Sequence, residues 1–201
     1  MTIYKKERRR RGRPKSWDRT EVVRQVMEHY WRDGAHALSL NEVCRRVSVS
    51  KPSIYREFGG EDGLIEAVLI YYRNVVLCIA IEFLEQELPF SKGMKLLIMG
   101  LTTPNDYPPG CLFTNMRMIQ TQLGPQSLEQ MNAIEQERRT AIEQWYERAL
   151  NQGEVIDSLS PAEASEYIDA QLTLLLLHIG MGRDPQVVRA QTLLAMSVLS
   201  P

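Results

Sequence analysis

Cysteine and histidine are scarce in this chain, and neither is arranged to do chemistry. The 201 residues hold three of each. Cys44, Cys78 and Cys111 are odd in number and far apart, with no Cys-x-x-Cys pair, and His29, His36 and His178 are scattered. That excludes a disulfide framework and a zinc-type ligand spacing, and it predicts a reducing compartment, the cytoplasm, with no metal and no cofactor. No segment sustains the alternation of a half-buried strand, so no sheet is expected. The richest apolar runs, "VVLCIAI" and "LTLLLLHIGMG", are too short to cross a bilayer, and no apolar signal segment follows the basic N-terminus. A membrane partner is therefore not expected. "GGEDG" at 59–63 has the glycines of a phosphate loop but neither its lysine nor a strand before it. With no nucleophile–base spacing either, an enzyme is not expected.

What is present is an apolar fraction of 44%, enough for a sizeable core, and an uneven distribution of charge. Net charge is −1, but residues 1–15 carry +7, residues 16–60 carry +1 and residues 61–201 carry −9. A basic front and an acidic back suit a chain whose front meets a polyanion. The first fifteen residues, with Arg9, Arg10, Arg11 and Arg13 around Gly12 and Pro14, cannot build a packed element. They read either as a solvated tail or as an arm for a nucleic-acid minor groove, where arginine is favoured by the negative potential.

Helical punctuation starts at Asp18, a cap with Glu21 as its third-position partner, and stops at Gly34. Ser39 with Glu42 reads as a capping box for a helix of about two turns, with Leu40, Val43, Cys44 and Val47 on its apolar face. Ser50 can cap a third helix that tolerates Pro52 in its first turn. A long apolar pattern runs from Leu64 to Pro89, then a helix over Lys92–Thr102, a turn-rich insert "TPNDYPPG", and a Met-rich helix over Cys111–Leu123. Helices over Gln126–Asn151, from Pro161 to Ile179 and from Pro185 to Leu199 complete an all-α chain of about nine helices.

Short helix, tight turn, short helix behind a basic arm is the layout of a helix-turn-helix DNA reader. On the third helix, Ile54 and Phe58 point inward with Val47 and Val49, leaving Lys51, Pro52, Ser53, Tyr55 and Arg56 to the other sides. Ser53 and Pro52 are small enough to approach base edges, and Lys51 and Tyr55 suit phosphates. Arg46 and Ser50 complete the candidate DNA-binding set. "SLNEVCRRVSVSKPSIYREF", Ser39 to Phe58, resembles the helix-turn-helix of the tetracycline-repressor (TetR) family, through Val49-Ser50, Ser53-Ile54-Tyr55 and Phe58. The specific motif covers about a quarter of the chain; the remaining helices resemble the family in layout. The resemblance implies that Ser39 anchors the second helix to a phosphate, that Lys51, Pro52 and Ser53 face bases, and that Tyr55 grips the backbone. Two positions depart from the pattern: Ser48 stands where the family often has glycine, and Glu61 and Asp62 stand where it usually has a phosphate-binding lysine. The two acids can instead cap the fourth helix.

The resemblance further implies a double-stranded, palindromic operator, a small-molecule inducer and a homodimer. Residues 1–15 would be the arm, 16–62 the DNA-binding domain, and 63–201 the ligand-binding and dimerisation domain. The last two helices carry wide apolar faces, which fit either burial in one chain or a two-fold four-helix interface. Pocket candidates are Tyr71 with Tyr72, then Cys111, Phe113, Asn115, Met116, Arg117, Trp145, Tyr146 and His178; ordinary core is the competing reading for each apolar one.

Overall fold

The computed structural model describes residues 17–200, so the basic arm, with Arg9, Arg10, Arg11 and Arg13, lies outside the described residues. Among the described residues there are nine helices and no strand. Helix α1 (Arg19–Asp33) opens where the Asp18 carboxylate accepts the Glu21 N–H at 2.8 Å. It closes at Gly34, whose φ of 82° lets its N–H reach back to the Tyr30 carbonyl. Its apolar face, Val22, Val23, Val26, Met27, Tyr30 and Trp31, is buried. Helices α2 (Leu40–Arg46) and α3 (Lys51–Phe58) follow.

Helix α4 spans Glu61–Leu84, 24 residues, with a π-helical turn at Arg73–Leu77. Neither apolar run singled out in the sequence reaches bilayer length by itself, but α4 as a whole does. The runs on either side of Arg73-Asn74 fuse into one helix that is long and apolar enough, by length and composition alone. Its environment accounts for its character differently: α1 lies along it, and Arg73 pairs with Glu137 of the long helix α7 (Pro125–Asn151). Between them lie α5 (Phe90–Thr102) and α6 (Leu112–Met118). The Met-rich helix expected to reach Leu123 ends as α-helix at Met118 and continues as a 3-10 turn over Gln120–Gln122. Helices α8 (Pro161–Gly180) and α9 (Pro185–Met196) close the chain; α8 has a complete reciprocal capping box between Ser160 and Glu163.

The apolar residues gather in two packed bodies. The first joins α1–α3 to most of α4, to α6 and to Met131 and Ile134 of α7. The second joins Leu84, α5, the rest of α7, α8 and α9. Thus the head formed by α1–α3 shares its core with the first half of α4, and α4 and α7 run from one body into the other.

The junction of head and body is tight. A Cβ at Gly63 would sit 1.9 Å from the Phe58 carbonyl oxygen, so only glycine lets α4 start against the end of α3. Next to it, the Asp62 carboxylate accepts the N–H groups of Gln126 and Ser127, both at 3.0 Å, and the Ser127 hydroxyl at 2.5 Å. Asp62 therefore caps α7, not its own helix, as the expectation had it. Gly124 makes room for this: a Cβ there would lie 2.3 Å from the Asp62 carboxyl carbon. Burial raises the Asp62 pKa, but the hydrogen bonds from Ser127 and Gln126 outweigh it and hold the carboxyl below its ordinary value.

Candidate nucleic-acid interface and ligand cleft

The reading element is α2, a turn and α3. Ser39 Oγ accepts the Glu42 N–H at 3.3 Å, leaving the Ser39 side chain exposed at the start of α2. The expected capping box is only half made. The Glu42 carboxylate turns to Arg45 and Arg46 instead of the Ser39 N–H, and those guanidinium groups hold its pKa at about 2. In the turn, Ser48 takes φ 55°, the one non-glycine with positive φ among the described residues. The glycine-like backbone is thus present without the glycine.

Helix α3 separates into two sides. Ile54 (0% exposed) and Phe58 (8%) are buried, as the spacing predicts, with Val47 and Val49. Lys51, Pro52 and Arg56 are exposed, Ser53 is half-exposed, and Tyr55 is 50% exposed. Lys51 and Arg56 make no ion pair among the described residues. Ser50 holds the cap position, but its hydroxyl lies 2.9 Å from that of Ser53 and caps no helical N–H, a correction to its expected role. The pair gives α3 two hydroxyls at its leading edge. Arg46 is placed differently from the rest of its set. It pairs with Glu42 and Asp33 and lies 3.4 Å from His29 Nδ1, tying α2 to the end of α1. Any phosphate would compete with two carboxylates for it.

The ligand candidates are not brought to one place. Phe113 (0% exposed) and Met116 belong to the first packed body, and Trp145 and Tyr146 to the second. All four fill core. Tyr146 donates to the Ile156 carbonyl, and Asn115 donates to the Trp31 carbonyl at 3.4 Å. Tyr71 and His178 are half-buried. Arg117 meets Asp169 at 2.9 Å and Glu135 at 3.2 Å, so its charge is answered within the chain. It lines an open, charged cleft between α7 and α8.

Of that set, Tyr72 and Cys111 meet on a second cleft of about 470 Å³. This cleft lies where the end of α1, the middle of α4, the 103–110 loop and the α8–α9 turn converge. Its floor is aromatic. The Trp31 ring meets Tyr72 edge-on at 5.1 Å and stacks on Tyr107 at 5.3 Å. The Tyr72 hydroxyl lies 3.1 Å from the Cys111 sulfur, and burial, then that thiol, pushes the phenol well above its ordinary pKa. Trp31 and Tyr107 did not stand out in the sequence. A tryptophan ending a helix reads as core, and a tyrosine among prolines reads as loop.

An all-α protein with a helix-turn-helix head and a helical body, its reading edge exposed, is the class that fold and site define. Residues 27–68 match the family model for bacterial regulatory proteins of the tetR family. The likeness to that family thus rests on the head and the start of α4, and the relatives it matches are transcription regulators, not enzymes. It is 32% identical over 109 residues to the HTH-type transcriptional repressor ComR of Escherichia coli (strain K12). That match spans 52% of this chain and 52% of the relative. Among solved structures, reduced E. coli NemR superposes with a TM-score of 0.76 at 15% identity, over 91% of this chain and 98% of that one. Cysteine-substituted CifR in complex with 26-base-pair operator DNA superposes with a TM-score of 0.78 at 20% identity, over 94% and 100%.

Proposed function

We propose that this chain is a cytoplasmic, DNA-binding transcription regulator, a repressor released from its operator by a small molecule. The observation that carries this reading is the division of α3. Two side chains hold it to the head, and five others, Lys51, Pro52, Ser53, Tyr55 and Arg56, are left at least partly exposed where core packing does not need them. Residues 16–62 are the reading head, and the Arg-rich 1–15 segment supplies minor-groove contacts. Lys51, Tyr55 and Arg56 fix register on phosphates, with Ser39 at the start of α2; Ser50, Ser53 and Pro52 meet base edges. Arg46 contributes by positioning α2.

Residues 63–201 bind the ligand and dimerise. A second copy of the chain packs on α8, α9 and the turns that end them, where Leu174, Met181, Val187, Leu194 and Val198 are exposed at 45%, 69%, 49%, 74% and 56%. Such a stripe on consecutive antiparallel helices suits a two-fold four-helix interface. The dimer presents two α3 helices to successive major grooves of a palindrome, about 34–36 Å apart or farther on a longer site. A ligand shifts this equilibrium only by preferring the conformation that does not fit DNA.

The test is a gel shift with the DNA upstream of the chain's own gene, against a scrambled duplex at moderate salt. Selective retardation by a folded dimer supports the reading. Equal affinity for both duplexes with a steep salt slope indicates a non-specific binder instead.

A further inference from the structure

The 470 Å³ cleft falls within the range of small-molecule sites, and its chemistry is one-sided. Among its lining residues the only charged one is Arg183, which makes no ion pair among the described residues. No carboxylate among the described residues lines it. Its floor is the aromatic group Trp31, Tyr72 and Tyr107. Trp31 is 5% exposed, and its indole N–H is buried without an acceptor. Buried donors nearly always find partners, and this donor, on a residue that lines the cleft, has none among the described residues. The 103–110 loop stacks Tyr107 on Trp31, so a ligand ring shares that aromatic floor with Tyr107 or takes its place.

We propose that this cleft is the effector site and that its ligand is a planar aromatic carboxylate. The aromatic ring occupies the apolar floor against Trp31 and Tyr72. One carboxylate oxygen accepts the Trp31 N–H, and Arg183 at the turn between α8 and α9 balances the charge. Trp31 lies on α1, in the reading head, whereas Cys111, Leu176 and Arg183 lie in the body. The ligand thus bridges the two, and its occupancy bears directly on the head's position. This inference rests on the ligand-responsive reading given above.

The test titrates 2-naphthoate into the full-length protein without DNA, by calorimetry, with naphthalene-2-methanol as the uncharged comparison. Saturable binding, one per chain, and weaker binding of the alcohol are expected. Trp31→Phe keeps a ring and removes the donor, and it is expected to weaken 2-naphthoate about tenfold, the ordinary value of a buried hydrogen bond. Arg183→Gln, at an exposed turn where folding is not at risk, is expected to weaken 2-naphthoate several-fold and leave the alcohol unchanged. No binding at about millimolar probe, or binding indifferent to both folded variants, overturns the proposal. The gel shift separates the two readings. A protein that retards its upstream DNA but ignores 2-naphthoate loses this inference alone. One that binds the probe but no DNA loses the regulator.

Discussion

Ser48 pays a local backbone cost that glycine would avoid. A β-carbon in the left-handed region costs about 1–2 kcal/mol, whereas glycine there costs about 0.5–1 kcal/mol in unfolded-state freedom. Ser48→Gly is therefore expected to stabilise the head by roughly 0.5 kcal/mol, and Ser48→Val, with a branched Cβ, to destabilise it by about 1–2 kcal/mol. Urea midpoints check both; a lower midpoint for the glycine variant would mean that Ser48 is held by contacts beyond its backbone. Three residues on, where α3 begins, the division of that helix gives a second expectation. Tyr55→Ala weakens binding to all duplexes alike, while Ser53→Ala or Pro52→Ala changes which sequence is preferred. Parallel gel shifts on matched and scrambled sites separate them; a Tyr55→Ala protein with altered preference and intact overall affinity would reverse the roles. Burial of Ile54 and Phe58 was legible in the sequence because helical spacing alone sets which side faces in. The positive φ of Ser48 was legible only as a departure from a glycine, since serine carries no conformational mark of its own.

At the level of elements, α7 depends on a residue that belongs to another helix. Asp62 meets the first turn of α7 with three hydrogen bonds, and replacing such a cap typically costs about 0.5–2 kcal/mol. Asp62→Asn keeps the shape and an acceptor but loses the charge, so a loss of about 1 kcal/mol in thermal or urea unfolding is expected, with Ser127→Ala giving a smaller one. The sign of the pH effect follows from the depressed carboxyl. Its stabilisation is complete above the unfolded pKa, about 3.9, and is lost as pH falls through the lower folded value. As pH falls below about 4, then, the gap between the parent and Asp62→Asn should narrow and close below the folded pKa; a gap that persists in strong acid would rule out the charged cap. Helix identities were largely readable beforehand, because caps, glycines and prolines are local signals. The Asp62–Ser127 contact was not. It joins residues 65 apart, and one sequence carries no register for such a pair. The same limit applies to the pocket. Phe113, Met116, Trp145 and Tyr146 have the composition of a ligand wall, but composition does not distinguish wall from filled core, and the cleft instead recruits Trp31 and Tyr107 from segments remote in sequence.

For the whole molecule, the exposed apolar stripe on α8 and α9 makes a quantitative demand. Leu194→Glu puts a charge at the most exposed of these positions, and Met181→Glu does so at the other end of the stripe. Each is expected to convert a dimer to monomer in sedimentation and to reduce operator affinity by at least tenfold, with the helical signal of each chain retained. A dimer that survives both substitutions would place the interface elsewhere. The unbroken course of α4 sets the scale of what a ligand can accomplish. Twenty-four residues make a rod of about 36 Å, anchored at one end where Gly63 touches α3 and gripped further along by Glu137 on Arg73. From the Arg73 grip back to Glu61 is about 18 Å of that rod, so a tilt of roughly 10° there moves the head end by about 3 Å, close to the ~3.4 Å rise of one base step. On the proposed dimer, a tilt of that size set by a ligand in the cleft would put each head about one rung out of step with its groove.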